Sequence, residues 1–255
     1  MFPFSPFLEV VMALFSDRSL RPALTASLVT AAALCSAVAC GSDAPPLPTV
    51  ACSLIPDLST SATPVTGRAS QQLTDFVVRQ GCSSVQVVPI TANSSGEACT
   101  VPAVNLLDLT AAPDNPEGRR VEIEDEKVPE ILAQITALHR CVDEHGTGNG
   151  TDVAGAFRQA DKLANGEPMV VLVVSDLVHN VGLTMLDTPL ETDEQRAALA
   201  GTLAQQLPDL TGWEITAAGA AAGTTDLTPT QSDAIQVVWE QAVRSRGGSW
   251  YRVSL

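Results

Sequence analysis

Five polar side chains in three separate segments supply oxygen ligands of the kind that bind a hard divalent cation. They are Asp57, Ser59, Ser61, Thr151 and Asp176. The first three follow the apolar stretch 50–55, Thr151 opens an amphipathic segment, and Asp176 closely follows the apolar run 169–174. Carboxylate and hydroxyl oxygens suit Mg²⁺, which prefers octahedral oxygen coordination and keeps some of its water. The pattern therefore predicts a Mg²⁺ site, with Mn²⁺ or Ca²⁺ as alternative occupants.

The elements that must position these ligands alternate between strand and helix patterns. Six stretches read as strands: 49–55, 84–91, 100–109, 169–174, 213–218 and 249–253. Five stretches read as helices: 69–79, 128–142, 153–160, 192–207 and 228–242. This alternation predicts an α/β, Rossmann-like fold: a doubly wound, mostly parallel six-stranded sheet with helices on both faces. The second and third strands are joined by so short a connection that the third must be an antiparallel edge strand.

The predicted sheet explains how distant segments could form one site. In a doubly wound sheet, ligands bind beyond the carboxyl ends of the strands, near the point where the strand order reverses. The unbroken apolar run 169–174 is typical of a strand buried on both faces. Asp57 and Asp176 follow strands that we expect to be adjacent at the centre of the sheet. Their loops can then reach one point.

The first 39 residues have the layout of an export signal. Arg18 and Arg21 precede the apolar stretch 23–39, which ends in small residues. The sequence around Cys40 resembles the lipobox of bacterial lipoproteins, which implies a lipid anchor on the extracytoplasmic side of a bacterial cell membrane. The segments are then a signal peptide, a lipidated cysteine with its flexible tether, and a folded domain: 1–39, 40–48 and 49–255. An ordinary cleaved signal or a membrane-spanning helix is the alternative.

The charge of the chain restricts its partners. The formal net charge is −15, and Lys127 and Lys162 are the two lysines. Nucleic-acid binding depends on Lys and Arg at phosphates, so this composition opposes it. It also opposes adsorption to anionic lipid headgroups, so we expect membrane attachment only through the lipid.

Four cysteines belong to the predicted domain: Cys52, Cys82, Cys99 and Cys141. An even number in an exported domain predicts two disulfides, and their spacing does not match a zinc site. Cys52 lies in the first predicted strand and Cys82 follows the next helix, so both should be near the lower part of the sheet. Cys99 begins a descending strand and Cys141 ends an ascending helix, so both should be near the opposite edge. We therefore predict the pairs Cys52–Cys82 and Cys99–Cys141.

The Asp-x-Ser-x-Ser motif, a later Thr at a helix start and an Asp after a central strand together resemble a von Willebrand factor type A domain. In that family these positions form the metal-ion-dependent adhesion site. The resemblance implies that Ser59 and Ser61 are direct ligands and that Asp57 and Asp176 act directly or through water. It implies a variable role for Thr151. The chain departs from the family at Thr60, Ala62 and Leu177, since Gly, Met and Gly are common there.

Each segment also has a purely structural interpretation. Asp57, Ser59 and Asp176 could cap backbone N–H groups in turns, and Thr151 could be a simple helix N-cap. The histidines give little support for catalysis. His139 is expected to be solvated on a helix, and His145 and His179 are expected to be polar loop residues beside the metal edge.

The favoured function is a lipid-anchored binding module rather than an enzyme. Through its cation the domain would recognise a carboxylate on a protein or peptide ligand. One alternative is a metal-assisted hydrolase on the same sheet, in which only His145 or His179 could serve as the general base. The other is a structural domain whose metal loops are vestigial.

Overall fold

Six strands form one sheet in the computed structural model, which describes residues 50–59, 68–96, 99–112, 114–145, 150–219 and 227–253. The strands are β1 (Val50–Pro56), β2 (Cys82–Val87), β3 (Val104–Asn105), β4 (Val170–Val174), β5 (Glu214–Ala218) and β6 (Ser249–Val253). Their order is β3-β2-β1-β4-β5-β6. Every neighbouring pair is parallel except β2 and β3. The predicted fold class is confirmed, including the antiparallel edge strand.

Helices cover both faces of the sheet. They are α1 (Arg68–Gln80), α2 (Pro116–Glu122), α3 (Val128–His145), α4 (Val153–Ala164), α5 (Asp193–Ala204) and α6 (Pro229–Ser245). Side chains of α1 and α3 pack in one apolar core, and those of α4, α5 and α6 pack in the other. The five residues of β4 are all buried because the strand lies between β1 and β5 with helices on both sides. No helix in the described ranges is long and apolar enough to cross a membrane.

Two helices begin with the capping boxes that the sequence contains. The Thr192 hydroxyl accepts a hydrogen bond from the Gln195 N–H, and the Gln195 side chain accepts one from the Thr192 N–H. Thr228 and Gln231 make the same reciprocal pair at the start of α6. These bonds satisfy N–H groups that have no partner within the helix, and they therefore define where α5 and α6 begin.

Both disulfides have the predicted pairing. Cys52 in β1 is bonded to Cys82 at the start of β2, and Cys99 is bonded to Cys141 in α3. The first bond joins two neighbouring strands, and the second ties the segment before β3 to the last turns of α3. All four cysteines of the predicted domain are therefore used as cross-links.

The strands of the β2–β3 hairpin are shorter than predicted. Regular pairing of β2 ends at Val87 rather than at residue 91. The chain continues beside β1 through a bond from the Ile90 N–H to the Pro56 carbonyl (2.8 Å). The third strand contains only Val104 and Asn105 instead of 100–109.

An additional helical segment precedes α3. Helix α2 and the π-helical turn Ile123–Lys127 lead directly into Val128. We did not predict this segment because α2 buries no residue and has no apolar face. Its start signal is nonetheless present, since the Asn115 side chain caps the Gly118 N–H and Pro116 occupies the first turn.

Candidate metal site

Two of the predicted ligand segments leave the same edge of the sheet. Strands β1 and β4 are parallel neighbours, with Pro56 opposite Val174. The pairing continues one step further, because the Asp57 N–H donates to the Val174 carbonyl (2.9 Å). Asp57 and the Ser175-Asp176 segment therefore begin side by side where the central strands end. This is the arrangement that the sequence analysis expected for these two loops.

The carboxylate of Asp57 organises its own loop and contacts the neighbouring one. One oxygen accepts a hydrogen bond from the Ser59 N–H (3.0 Å), and the other accepts one from the Ser175 hydroxyl (2.7 Å). Asp57 is 7% exposed and Ser59 is 8% exposed. Ser61 lies outside the described residues. Asp57 therefore caps the turn at Ser59, as the structural interpretation expected. Its carboxylate is also buried where two loops meet, which capping alone does not explain.

Asp176 is a second buried carboxylate in the same place. It is 9% exposed, and one of its oxygens accepts a hydrogen bond from the Val178 N–H (2.9 Å). Burial raises the pKa of Asp176 above its ordinary value, and the nearby charge of Asp57 raises it further. Neither carboxylate forms an ion pair with Lys, Arg or His in the part of the chain that the structure describes.

The third predicted segment is tied to the loop that follows Asp176. The Thr151 N–H donates to the Asn180 side-chain oxygen (2.6 Å), and the Thr151 carbonyl accepts from the Asn180 N–H (3.1 Å). Thr151 is not the N-cap of α4. Asp152 is the N-cap, and its side chain accepts from the Gly155 N–H (2.7 Å). The buried Thr151 is therefore left without the capping role that would otherwise explain it.

Ser175 is a residue that the sequence analysis did not select. Its hydroxyl donates to Asp57 and accepts from the Leu177 N–H (2.9 Å), so it links the two acidic loops. The signal was its position directly before Asp176, although a Ser-Asp pair is ordinary in loops. Only the pairing of β1 with β4 gives this serine its role.

Leu177 explains how the loop forms without the glycine that is common in the family it resembles. Its φ is +64°, a left-handed conformation that favours glycine, and its side chain is fully buried. Two hydrogen bonds hold it there: its N–H donates to Ser175, and its carbonyl accepts from the Trp239 indole (2.8 Å). Leucine in this conformation costs about 1–3 kcal/mol of backbone strain. The packing of its buried side chain and its two hydrogen bonds offset that cost.

His179 is not the polar loop residue that we expected. It is fully buried, its Nε2 atom lies 3.1 Å from the Gln206 side-chain oxygen, and its ring meets Trp239 edge-on. Burial lowers the pKa of His179, which favours the neutral ring. His139 is exposed beside Asp143, as predicted, and His145 is exposed at the end of α3. None of these contacts gives the hydrolase alternative a general base at Asp176.

The donors suit a cation bound by oxygen. Among the described residues, no three His, Cys, Asp or Glu side chains form a group that could hold a metal. The predicted ligand set would not form such a group, because it contains two carboxylates and its other members are hydroxyls. Two buried carboxylates and buried hydroxyls, with no ion-pair partner for either carboxylate among the described residues, fit Mg²⁺ better than they fit zinc.

Comparisons with known proteins add little to this geometry. No protein-family model matches the chain, and no curated protein matches it. The crystal structure of the human COPII-coat protein Sec24c is similar, with a TM-score of 0.37 and 13% sequence identity. The match covers 81% of this chain and 30% of Sec24c, so the chain spans less than a third of that protein. A likeness this distant carries no argument about the site.

Proposed function

We propose that this chain is a lipid-anchored, extracytoplasmic binding module that recognises a carboxylate on a protein or peptide through a divalent cation. Asp57, Ser59, Ser61, Thr151 and Asp176 would hold the ion. The proposal takes up the resemblance to the von Willebrand factor type A domain.

The observation that carries this proposal is the pair of buried carboxylates at the ends of β1 and β4. Burying an ionised carboxylate is costly unless an opposite charge or a metal accompanies it. Asp57 has two hydrogen-bond donors, but Asp176 has only one among the described residues. The raised pKa of Asp176 has the same cause. A bound Mg²⁺ would supply the missing positive charge and thereby lower that pKa.

The chemistry of the donors indicates what kind of ligand the domain would take. Ser59 and Thr151 contribute neutral hydroxyls, so the protein compensates the charge of the ion only in part. When bound, the ion supplies a Lewis-acid position that an external carboxylate can complete. The net charge of −15 repels an acidic ligand at long range. Salt screens this repulsion beyond a Debye length of about 8–10 Å, so recognition depends on the short-range contact.

Thermal unfolding with and without Mg²⁺ or Mn²⁺ tests the metal site. At 100 times the dissociation constant, a bound ion should stabilise the folded domain by about 2.7 kcal/mol. We expect Asp176→Asn to abolish this gain and Ser59→Ala to reduce it. The matched control is Asp125→Asn, which removes one negative charge from an exposed side chain of the π-helical turn. This variant should keep the stabilisation by the metal.

Two results would contradict the metal site. One is a wild-type protein whose unfolding temperature is the same in Mg²⁺, Mn²⁺ and EDTA. The other is an equal metal effect in the wild type and in Asp176→Asn. In either case the loops would be purely structural, and the vestigial interpretation would replace the adhesion site.

The lipid anchor is tested separately, because Cys40 lies outside the described residues. We expect the intact mass of protein extracted from membranes to show cleavage before Cys40 and an acylated cysteine. The Cys40→Ser protein should lack the lipid mass. A Cys40→Ser protein with the same lipid mass would contradict the anchor and leave the metal site unaffected.

A further inference from the structure

A groove opens between the segment 185–191 and the first two turns of α6. Its volume is about 230 Å³. The lining residues used below are Met185, Leu186, Asp187, Glu191, Ala234 and Ile235. The volume is below the range of roughly 300–1,000 Å³ that is usual for sites of drug-sized ligands. The groove therefore has room for one or two side chains.

The groove lies at the same edge of the sheet as the candidate metal site. The segment 185–191 follows β4, and α6 follows β5, which is the parallel neighbour of β4. Hydrogen bonds continue the connection. The Met185 N–H donates to the His179 carbonyl (3.1 Å), and the next residue, Asn180, is bonded to Thr151. A ligand that reaches the Thr151 loop is thus close to the groove.

The floor of the groove is apolar and its rim is acidic. Met185, Ala234 and Ile235 are buried beneath it, and Leu186 at the rim is 56% exposed. The rim carboxylates Asp187 and Glu191 are exposed, and the lining contains no Lys or Arg.

Two nearby positive charges do not neutralise this rim. Arg196 is bonded to Asp193 and to the Leu190 carbonyl. The N-terminus of α6 carries only about half a positive charge, and Thr228 and Gln231 already cap it. The two rim carboxylates therefore dominate the local field.

We propose that this groove binds a peptide segment in which a large apolar side chain stands next to a Lys or Arg. The apolar side chain enters over Ile235 and Ala234, while the basic group lies against Asp187 and Glu191. Burial of the apolar group provides most of the affinity, and the charges provide orientation and selectivity. This contact needs no metal, so it is independent of the carboxylate-binding site.

Short synthetic peptides test the groove directly. The first probe is fluorescein-labelled Gly-Lys-Leu-Phe-Lys-Gly, and binding is followed by fluorescence anisotropy in EDTA. We expect it to bind at least tenfold more tightly than a peptide with Glu in place of Lys, or one with Ala in place of Leu and Phe. Asp187→Asn combined with Glu191→Gln should weaken binding about fivefold to tenfold, as expected for two exposed ion pairs.

Two controls separate the groove from general attraction to an acidic protein. Asp125→Asn combined with Glu144→Gln removes two exposed charges elsewhere and should leave the affinity unchanged. Leu186→Ser alters only the apolar rim and should weaken binding without unfolding, because this side chain is already half exposed.

Photo-crosslinking locates the contact. A peptide carrying benzoylphenylalanine in place of Phe should label the segment 185–191 or the first turns of α6. Equal losses with the two pairs of charge substitutions, or labelling mainly on α1 or α3, would overturn the proposal. Undetectable binding at millimolar peptide would also overturn it. None of these results depends on whether the metal site exists.

Discussion

Both disulfides lie with β1, β2 and β3 and the helices α1 and α3, whereas the three buried tryptophans lie with β4, β5 and β6 and the helices α4–α6. We call these parts the cross-linked half and the helix-packed half. In the cross-linked half, β3 has two residues and α2 buries none. In the helix-packed half, Trp213, Trp239 and Trp250 fill the space between three helices and the sheet. The half that ends in a two-residue edge strand is thus joined by both disulfides, and the half that contains the bulky aromatics has no disulfide among the described residues.

The candidate metal site spans the seam between these halves. Asp57 belongs to the cross-linked half, and Asp176 belongs to the helix-packed half. Their loops meet through the Ser175 hydroxyl. The geometry of the site therefore depends on how both halves hold β1 against β4. The three predictions below perturb the helix-packed half, the cross-linked half and the seam in that order.

The largest effect is expected from Trp239→Ala. This side chain is fully buried, lies near Phe157 (6.0 Å between ring centroids), and donates a hydrogen bond to Leu177. We expect a loss of about 3–5 kcal/mol in the free energy of unfolding, as is usual for a buried Trp. Urea denaturation of the oxidised protein measures it. Trp239→Phe, which keeps a ring but no indole N–H, should lose less. A loss below about 1 kcal/mol for the Ala variant would mean that packing does not hold this half.

The second effect concerns the disulfides. Removing the Cys52–Cys82 pair, with both residues changed to Ala, should lower the free energy of unfolding by about 2–5 kcal/mol. The Cys99–Cys141 pair should cost less, because Cys141 is only partly buried while Cys52 and Cys82 lie in the core.

Loop entropy alone predicts the opposite order for the two bonds. The Cys99–Cys141 loop spans 42 residues and the Cys52–Cys82 loop spans 30, so the longer loop should contribute slightly more. Urea denaturation of both double variants decides between burial and entropy. Equal stability of both variants and the wild type would remove the contrast between the two halves.

The smallest effect is expected at the seam and depends on pH. Burial raises the pKa of Asp176 above 3.8, so the folded protein binds this proton more tightly than the unfolded chain does. The stability of the metal-free domain therefore falls as pH rises from 3.8 through the raised pKa, and the deficit persists above it. Asp176→Asn has no such deficit. We expect the variant to be more stable than the wild type at pH 7 in EDTA, and this advantage to disappear below pH 3.8.

Magnesium should reverse that order. At pH 7 with saturating Mg²⁺ the wild type gains stability and Asp176→Asn does not. Thermal unfolding of the wild type and of Asp176→Asn, each at pH 7 and below pH 3.8 and each in EDTA and in Mg²⁺, measures both effects. A variant that is less stable than the wild type in EDTA at pH 7 would show that Asp176 stabilises the loop mainly through its bond to Val178.

Local signals in the sequence were sufficient for the fold class, the antiparallel edge strand and the starts of α5 and α6. The Val-rich run before Ser175 could only be a central strand, and the Thr-x-x-Gln patterns at Thr192 and Thr228 state where α5 and α6 begin. The disulfide pairs followed from the same topology. They were predictable because strand direction places each cysteine near one edge of the sheet or the other.

The remaining features depend on partners that are distant in sequence. His179 looks like a loop residue until Gln206 and Trp239, which follow it by 27 and 60 positions, are seen to surround it. The position of Thr151 also depends on a distant residue, because its N–H donates to Asn180, while the N-cap of α4 is Asp152, whose side chain accepts from the Gly155 N–H. The role of Ser175 likewise requires that β1 and β4 be adjacent.

The left-handed backbone at Leu177 restricts which substitutions the loop can accept. Glycine would adopt this φ without strain but would leave a cavity where the buried side chain had been. Asparagine tolerates the conformation but would bury an amide among apolar neighbours, and β-branched residues clash with the backbone. Each of these replacements thus loses either the backbone conformation or the buried volume that leucine provides at this position. In a library of random variants, the residue beside Asp176 should therefore be depleted of substitutions as strongly as a core tryptophan, although it lies in a loop.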